Sequence, residues 1–178
     1  MKKSILFICF LWISLYGFSQ EKKMVFPNDF LGTYSGMLKI ENKKGIKKIP
    51  MEFHLIKTES VDKFSYILVY NNTPRNYTLI VKDLEKGIFE VDENNGIILP
   101  TKFANNTLYS FFEVQGNFLS SRLEFSENSI DFEILFSLTA DKKETGNKKI
   151  EKDKKKIPKV FGYPISTVQK AYLRKVDN

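Results

Sequence analysis

The sequence predicts an all-β domain, a single antiparallel up-and-down barrel of about 8–10 strands. From Leu31 onward, short segments rich in β-branched and aromatic residues alternate with turn residues, at a spacing of about ten residues. Several of these segments alternate apolar with polar residues, as half-buried strands do. Helix signals are scarce, and the only short helical turn predicted lies at 28–31, after Pro27. A two-sheet sandwich is the alternative architecture, because its strands and turns have the same spacing.

The strand-like segments follow one another with turn sequences between them. They span 31–40, 48–57, 63–71, 75–82, 86–92, 96–104, 106–115, 117–125, 128–138 and 166–176. Asn and Gly are frequent between them, as in 71–74, 93–96 and 115–117. Because Asn and Gly tolerate positive φ, these sequences are typical of tight hairpin turns. The succession favours an antiparallel meander over alternating βαβ units.

Alternation also predicts which side chains face the interior. One face of segment 128–138 carries Phe132 and Phe136, with Asp131 and Glu133 opposite. If Tyr34 faces inward, similar stripes on the other strands contribute the rest of an aromatic lining. The candidate ligand-binding residues are Tyr34, Phe53, Tyr66, Phe112, Phe132 and Phe136. The alternative is that these side chains simply fill a packed core.

The first nineteen residues have the pattern of a secretory signal peptide. Lys2 and Lys3 precede an apolar stretch, and Gly17 and Ser19 place small side chains before the predicted cut at 19. The apolar stretch is shorter than the ~20 residues of a membrane-spanning helix. We therefore predict an exported protein, in the periplasm or at the outer surface, without a transmembrane segment after signal removal. An uncleaved N-terminal anchor is the alternative.

The remaining chain, 20–178, is predicted to be one β-barrel domain. The single cysteine, Cys9, lies in the signal, so this domain can form no disulfide and no thiolate metal site. Residues 141–159 hold nine lysines against four carboxylates and form a predicted flexible loop before the last strand. Together with Lys2 and Lys3, that tract accounts for the whole net charge of +7. Lysine without arginine or aromatics is a poor reader of bases, so the tract suggests an anionic surface as partner, not nucleic acid.

No catalytic, metal or cofactor site is predicted. His54 is the only histidine, and its parity places it on the outer face of its strand, with Glu52. Asp131 and Glu133 could form a carboxylate pair, but alternation turns both toward solvent. The serines lack a nucleophile-elbow motif, and Gly32 and Gly36 precede no helix that would bind phosphate. We therefore predict a protein that is not an enzyme.

The start of the domain resembles a known superfamily. Residues 30–36, Phe-Leu-Gly-Thr-Tyr-Ser-Gly, look like the opening of a calycin, the group that includes lipocalins and fatty-acid-binding proteins. Calycins begin with a short helical turn and a Gly-x-Trp on the first strand, whose Trp closes the barrel floor. Here the motif is Gly32-Thr33-Tyr34, with Tyr in place of Trp. In lipocalins an Arg near the last strand packs across that aromatic, so the resemblance implies that Gly32, Tyr34 and Arg174 close the barrel.

Two functional hypotheses follow, and a third, a cofactor-free barrel enzyme, has no residue that we would name as catalyst. The first is a lipocalin-like barrel that binds a small apolar or amphipathic ligand, because an aromatic lining with a few hydroxyls suits such a molecule. The second is a periplasmic or cell-surface structural or interaction protein with a filled core and no ligand. A cavity of ligand size distinguishes the two.

Overall fold

The computed structural model describes residues 24–146, 149–150 and 155–176, and ten of its strands form a closed antiparallel barrel. The barrel strands are β1 (Gly32–Asn42), β2 (Gly45–Lys57), β3 (Lys63–Tyr70), β4 (Thr73–Asp83), β5 (Ile88–Asp92), β6 (Ile98–Ala104), β7 (Thr107–Val114), β8 (Asn117–Ser126), β9 (Ser129–Leu138) and β14 (Thr167–Lys175). Strands β1 to β9 pair in sequence order, and β14 pairs with both β9 and β1 to close the cylinder. The predicted all-β barrel is confirmed, in preference to the sandwich.

Short hairpins connect most of the barrel strands. Two-residue turns at Asn71–Asn72, Asn105–Asn106 and Gln115–Gly116 have positive φ at both positions. This is the backbone of a type I′ turn, whose twist matches the twist of the flanking strands. The asparagines that suggested turns in the sequence therefore stand where left-handed backbone is required. Because these turns are tight, consecutive strands are neighbours in the barrel.

One end of the barrel is closed by the N-terminal segment. A 3₁₀ turn, Asn28–Phe30, precedes β1, and it places Phe26 and Phe30 inside the cylinder. The Phe26 ring stacks on Phe103 at 4.2 Å between centroids and meets Phe89 edge-on at 5.2 Å. Phe125 lies 5.3 Å from Phe30. This aromatic plug fills what we call the closed end, where β1 begins and β14 finishes.

Closure of the cylinder requires two strands to approach closely. Gly36 on β1 lies opposite Leu173 on β14. A Cβ atom at Gly36 would come within 2.3 Å of the Tyr172 carbonyl oxygen, so only glycine fits this contact. The Gly-x-aromatic-x-Gly spacing at the start of the domain thus serves the β1–β14 closure.

The opposite, open end carries the connection from β9 to β14. After a 3₁₀ turn at Thr139–Asp141, strands β10 (Lys143–Gly146) and β13 (Lys159–Gly162) pair, as do β11 (Lys149–Ile150) and β12 (Lys155–Lys156). The tract 141–159, predicted as a flexible lysine-rich loop, therefore contains short paired strands in its described residues. Among the described residues, no helix combines the length and hydropathy needed to cross a membrane.

Candidate functional site

The open half of the barrel contains a cavity of about 830 Å³. Its walls come from inward side chains of most barrel strands, and its mouth lies among the β3–β4, β5–β6 and β7–β8 turns. The apolar lining residues are Leu38, Ile40, Ile49, Leu68, Val91, Ile97, Leu99, Leu108, Phe112, Val114, Leu119, Leu123, Phe132, Ile134 and Phe136. A volume of this size falls within the range of pockets that enclose one small molecule.

Three tyrosines form a polar cluster on one wall of this cavity. Tyr66 on β3 and Tyr77 on β4 are cross-strand partners with ring centroids 6.3 Å apart, and Tyr70 lies farther along β3. Burial raises the pKa of Tyr66 and of Tyr70 above the ordinary value, and the neighbouring tyrosines raise that of Tyr66 further. We call Tyr66, Tyr70 and Tyr77 the tyrosine cluster. A tyrosine hydroxyl can both donate and accept a hydrogen bond.

The hydroxyls of the tyrosine cluster have no hydrogen-bond partner among the described residues. Every fully enclosed side-chain nitrogen or oxygen atom in that part of the chain does have a partner. The three hydroxyls are therefore not enclosed by protein, and they face the free space of the cavity. An unsatisfied hydroxyl in a confined apolar site is a point at which a ligand or water gains a hydrogen bond.

Other polar side chains in the lining divide into two groups. Thr101 and Ser110 already donate to backbone carbonyl oxygens, those of Leu99 and Pro100, at 3.0 and 2.9 Å. Ser121 on β8 and Gln169 on β14 have no hydrogen-bond partner in the described chain. The available hydrogen-bonding groups thus lie on two walls, and the aromatic and aliphatic side chains lie between them.

The mouth carries charge of both signs. Arg75, on β4, is exposed and its guanidinium lies 5.3 Å from the centre of the Tyr70 ring. Arg75 has no carboxylate within ion-pair distance in the described chain. Glu93, which accepts a hydrogen bond from Asn95, and Glu113 stand elsewhere on the rim. The cation therefore sits beside the tyrosine cluster, where it lowers the pKa of Tyr70 against the larger effect of burial.

The predicted ligand-binding residues separate into two sets by depth. Tyr66, Phe112, Phe132 and Phe136 line the cavity. Tyr34 and Phe53 do not line it, and their assignment to the ligand site is corrected. Both face inward as alternation predicts, but they lie in the closed half, where Phe53 packs edge-on against Phe125 at 6.0 Å. Periodicity predicts the face of a side chain but not its height in the barrel.

The predicted closing residues also need one correction. Tyr34 is fully buried, its hydroxyl donates to the Phe30 carbonyl oxygen at 2.9 Å, and burial raises its pKa to about 12. Arg174 is exposed, and its guanidinium lies over the ring of Tyr172 on the outer face of the barrel. The side chain above Tyr34 is instead Lys175, with its Nζ atom 5.8 Å from the ring centre. Leu173 is buried, so the next residue on β14 must point outward and the one after it inward.

Gly32, the third closing residue, has a φ of +143°, a conformation that side-chain-bearing residues rarely adopt. A Cβ atom there would lie 2.7 Å from Cε of Lys175. Because Gly32 has no side chain, the side chain of Lys175 can lie across the start of β1. The closing group in this barrel consists of Gly32, Tyr34 and Lys175.

In the described part of the chain, the outward-facing histidine, one arginine and several carboxylates form isolated pairs. His54 Nε2 lies 2.8 Å from a Glu52 carboxylate oxygen on the outer face of β2. Glu133 pairs with Lys170, and Arg122, also outward, pairs with Glu124. No group of three potential metal ligands occurs among the described residues.

Sequence reasoning missed two features of the site. Tyr77 and Gln169 were not recognised as lining residues, although period-two alternation along β4 and β14 from Leu79 and Ala171, both buried, turns them inward. The aromatic plug was also missed, because Phe26 lies outside any strand and no periodic signal marks its position.

Comparison with known proteins identifies the fold and no family. No protein-family model matches the chain, and no curated protein matches it. A crystal structure of a protein of unknown function from the DUF3598 family of Nostoc punctiforme PCC 73102 is similar, with a TM-score of 0.58 at 8% identity. The match covers 84% of this chain and 48% of that one, so this chain spans about half the length of its structural neighbour. At this identity the likeness shows a shared barrel fold.

Proposed function

We propose that this protein is an exported, lipocalin-like barrel that binds one small amphipathic molecule in the cavity of its open half. The observation that carries the proposal is the tyrosine cluster, whose hydroxyls have no partner in the described chain and face a mostly apolar cavity of about 830 Å³. A core that merely stabilised the fold would not need this space, because large voids in a core are costly.

The arrangement of the lining favours a particular class of ligand. The apolar wall, which includes Phe112, Ile134 and Phe136, would contact a hydrocarbon or ring system. The hydroxyls of the tyrosine cluster, with Arg75 beside them, would contact a polar group near the mouth. Because Arg75 pairs with no carboxylate of the described residues, it favours a ligand with a carbonyl, carboxylate or other oxygen acceptor over one with an ammonium group.

Export is a separate part of the proposal. It rests on the residues 1–19, which lie outside the described part of the chain, and on their signal-like pattern. Expression of the full chain in a bacterial host, followed by intact-mass measurement of the periplasmic protein, tests it. A mature chain that begins at Gln20 supports export, whereas an uncut chain recovered with the cytoplasm contradicts it.

Native mass spectrometry of the gently purified protein tests ligand binding directly. We expect a stoichiometric additional mass that is lost on organic extraction. The matched control is a variant with a filled cavity, Ser121→Trp, purified in parallel. Equal additional mass on both proteins would place the bound molecule outside the cavity and contradict the proposal.

A second candidate function, a surface interaction protein, is favoured by an aromatic row on the outside of the barrel. Phe111 on β7 is 65% exposed, and its ring stacks on Phe118 of β8 at 6.3 Å. Tyr163, just after β13, lies 5.3 Å from Phe118. Nearby, Lys142 and Lys159 both lie within 5 Å of the exposed Phe161 ring, at 4.5 and 4.9 Å. Exposed aromatics beside lysines are typical of segments that contact anionic membrane surfaces.

Vesicle sedimentation separates this candidate from ligand binding. If the aromatic row and the lysine-rich tract contact an anionic surface, the protein should bind vesicles of phosphatidylglycerol and not of phosphatidylcholine. Binding should weaken with salt and with Phe111→Ser, while Tyr109→Ser on the same outer face serves as control. Equal sedimentation with both lipids would contradict an electrostatic contact.

A further inference from the structure

Two neighbouring strands of the barrel wall are paired along only part of their length. Strands β6 and β7 are paired only near the closed end, at Lys102 with Tyr109, Phe103 with Leu108, and Ala104 with Thr107. Toward the open end, residues 98–101 and 110–114 belong to the two strands but are not paired with each other. We call these two unpaired stretches the β6–β7 seam. The neighbouring strand pairs β5–β6 and β7–β8 continue through the same level.

Proline explains why the ladder stops at this point. The Phe103 amide donates to the Gly87 carbonyl oxygen on the β5 side, and backbone groups alternate sides along a strand. The backbone of Pro100 therefore faces β7, as its carbonyl oxygen confirms by accepting the Ser110 hydroxyl at 2.9 Å. Proline has no N–H to donate, so the ladder bond toward Phe111 cannot form. Pro100 thus interrupts pairing at the centre of β6.

The seam connects the cavity with an apolar outer surface. On the inside, Leu99 of β6 and Phe112 of β7 line the cavity directly beneath the unpaired stretches. On the outside, the flanking side chains are Ile98, 52% exposed, and Phe111. An apolar molecule that passed between the strands would remain in contact with apolar side chains along its path.

We propose that ligand enters and leaves the cavity laterally through the β6–β7 seam, and that Pro100 keeps this route open. The inference rests on the proposed function, since it concerns the route to the same cavity. Within the seam, the backbones of Phe111 and Glu113 face β6, but neither residue has a paired residue on that strand. Parting the strands here breaks few hydrogen bonds, whereas parting any fully paired neighbours would break a ladder.

Restoring the missing N–H tests the route. Pro100→Val should extend the ladder, slow hydrogen exchange at the Phe111 and Glu113 amides, and slow uptake of anilinonaphthalene sulfonate in stopped-flow fluorescence by about fivefold to tenfold. The equilibrium dissociation constant of the dye should change less than about twofold, because a route alters rates in both directions equally. Pro50→Val is the matched control, since Pro50 is an exposed strand proline on β2, away from the seam.

A second variant covers the case in which Pro100→Val does not fold. It carries Ile98→Cys and Glu113→Cys, two positions that lie opposite each other across the seam when the β6–β7 register is extended. The disulfide between them can be formed or reduced, so that both forms are compared in one preparation. A disulfide between Ser120→Cys and Leu135→Cys, which join the paired strands β8 and β9, is the control. We expect oxidation to slow dye uptake by the variant with the seam disulfide and not by the variant with the β8–β9 disulfide.

The outcomes distinguish this inference from the proposed function. Unchanged uptake in a variant whose seam amides have become protected, or whose disulfide has formed, would overturn the lateral route while leaving ligand binding intact. Failure of the wild-type protein to bind the dye at equilibrium would count against the cavity itself, and the lateral route would fall with it.

Discussion

The Tyr34 hydroxyl donates a 2.9 Å hydrogen bond to the Phe30 carbonyl oxygen inside the closed end of the barrel. This bond joins the 3₁₀ turn to β1, and both residues are fully buried. It holds the aromatic plug against the cylinder, because Phe30 packs on Phe125 and Phe26 packs on Phe103. The hydrogen bond thereby stabilises the filled half of the barrel.

Tyr34→Phe should destabilise the protein by about 1–3 kcal/mol, because the Phe30 carbonyl oxygen then remains buried without a donor. Tyr34→Ala should cost about 3–5 kcal/mol, since the ring is lost as well. Urea unfolding monitored by circular dichroism measures both. Tyr172→Phe, on the outer face of β14, is the control and should have little effect. Equal stability of Tyr34→Phe and wild type would contradict the role assigned to this hydrogen bond.

Stability should fall at high pH because of the buried tyrosines. The folded-state pKa of Tyr34 is raised from 10.0 to about 12, and burial raises the pKa of Tyr66 in the same direction. An unfolded tyrosine ionises near its ordinary pKa, so the unfolded state loses protons first as pH rises. The contribution of Tyr34 is therefore fully present below pH 10 and is lost as pH rises through about 12, and the loss from Tyr66 extends to higher pH.

Tyr66→Phe isolates the contribution of one cavity tyrosine to the loss of stability at high pH. The Tyr66 hydroxyl bonds to none of the residues that the structure describes, so the variant should match wild-type stability at neutral pH. Above pH 10 the variant should lose less stability than wild type, as measured by urea unfolding at a series of pH values. Parallel curves for the two proteins would show that Tyr66 ionises as freely in the folded state as in the unfolded state.

Much of this barrel could be predicted from the sequence because strand alternation and turn chemistry are local properties. The Asn71–Asn72 turn and the inward stripe of Phe132 and Phe136 follow from neighbouring residues alone. The height of each inward residue is not local. Phe53 lies in the filled half and Phe112 in the hollow half because the plug enters from one end, and that path depends on long-range packing.

The cation at the closed end of the barrel shows a different limit of prediction from sequence. Alternation from Leu173 turns Arg174 outward and Lys175 inward, so the local pattern contained the answer. The superfamily resemblance pointed to Arg174 because it transferred a residue type without testing its parity. Pro100 is the opposite case, since a proline in a central strand is a visible signal of broken pairing. Its consequence becomes apparent only when β7 is known to be the neighbour.

Lys175→Ala should destabilise the closed end by about 1 kcal/mol, because the lysine stem packs over Gly32 and its ammonium group lies over the Tyr34 ring. Arg174→Ala should change stability by less than about 0.5 kcal/mol, since that side chain is exposed. Thermal and urea unfolding of both variants checks this contrast. A larger loss for Arg174→Ala than for Lys175→Ala would restore the arrangement that the calycin resemblance implies.

Adjacent serines on β8 offer a matched test of the cavity. Ser121 lines the cavity without a hydrogen-bond partner in the described chain, whereas Ser120 faces outward from the same strand. Ser121→Trp should fill part of the free volume and reduce equilibrium binding of anilinonaphthalene sulfonate at least about tenfold, with the fold retained because space already exists for the ring. Ser120→Trp adds the same side chain to the outer face and should leave affinity unchanged. If both variants bind the dye as wild type does, the dye binds elsewhere and the cavity loses its proposed role; if only Ser121→Trp loses binding, the site is inside the barrel.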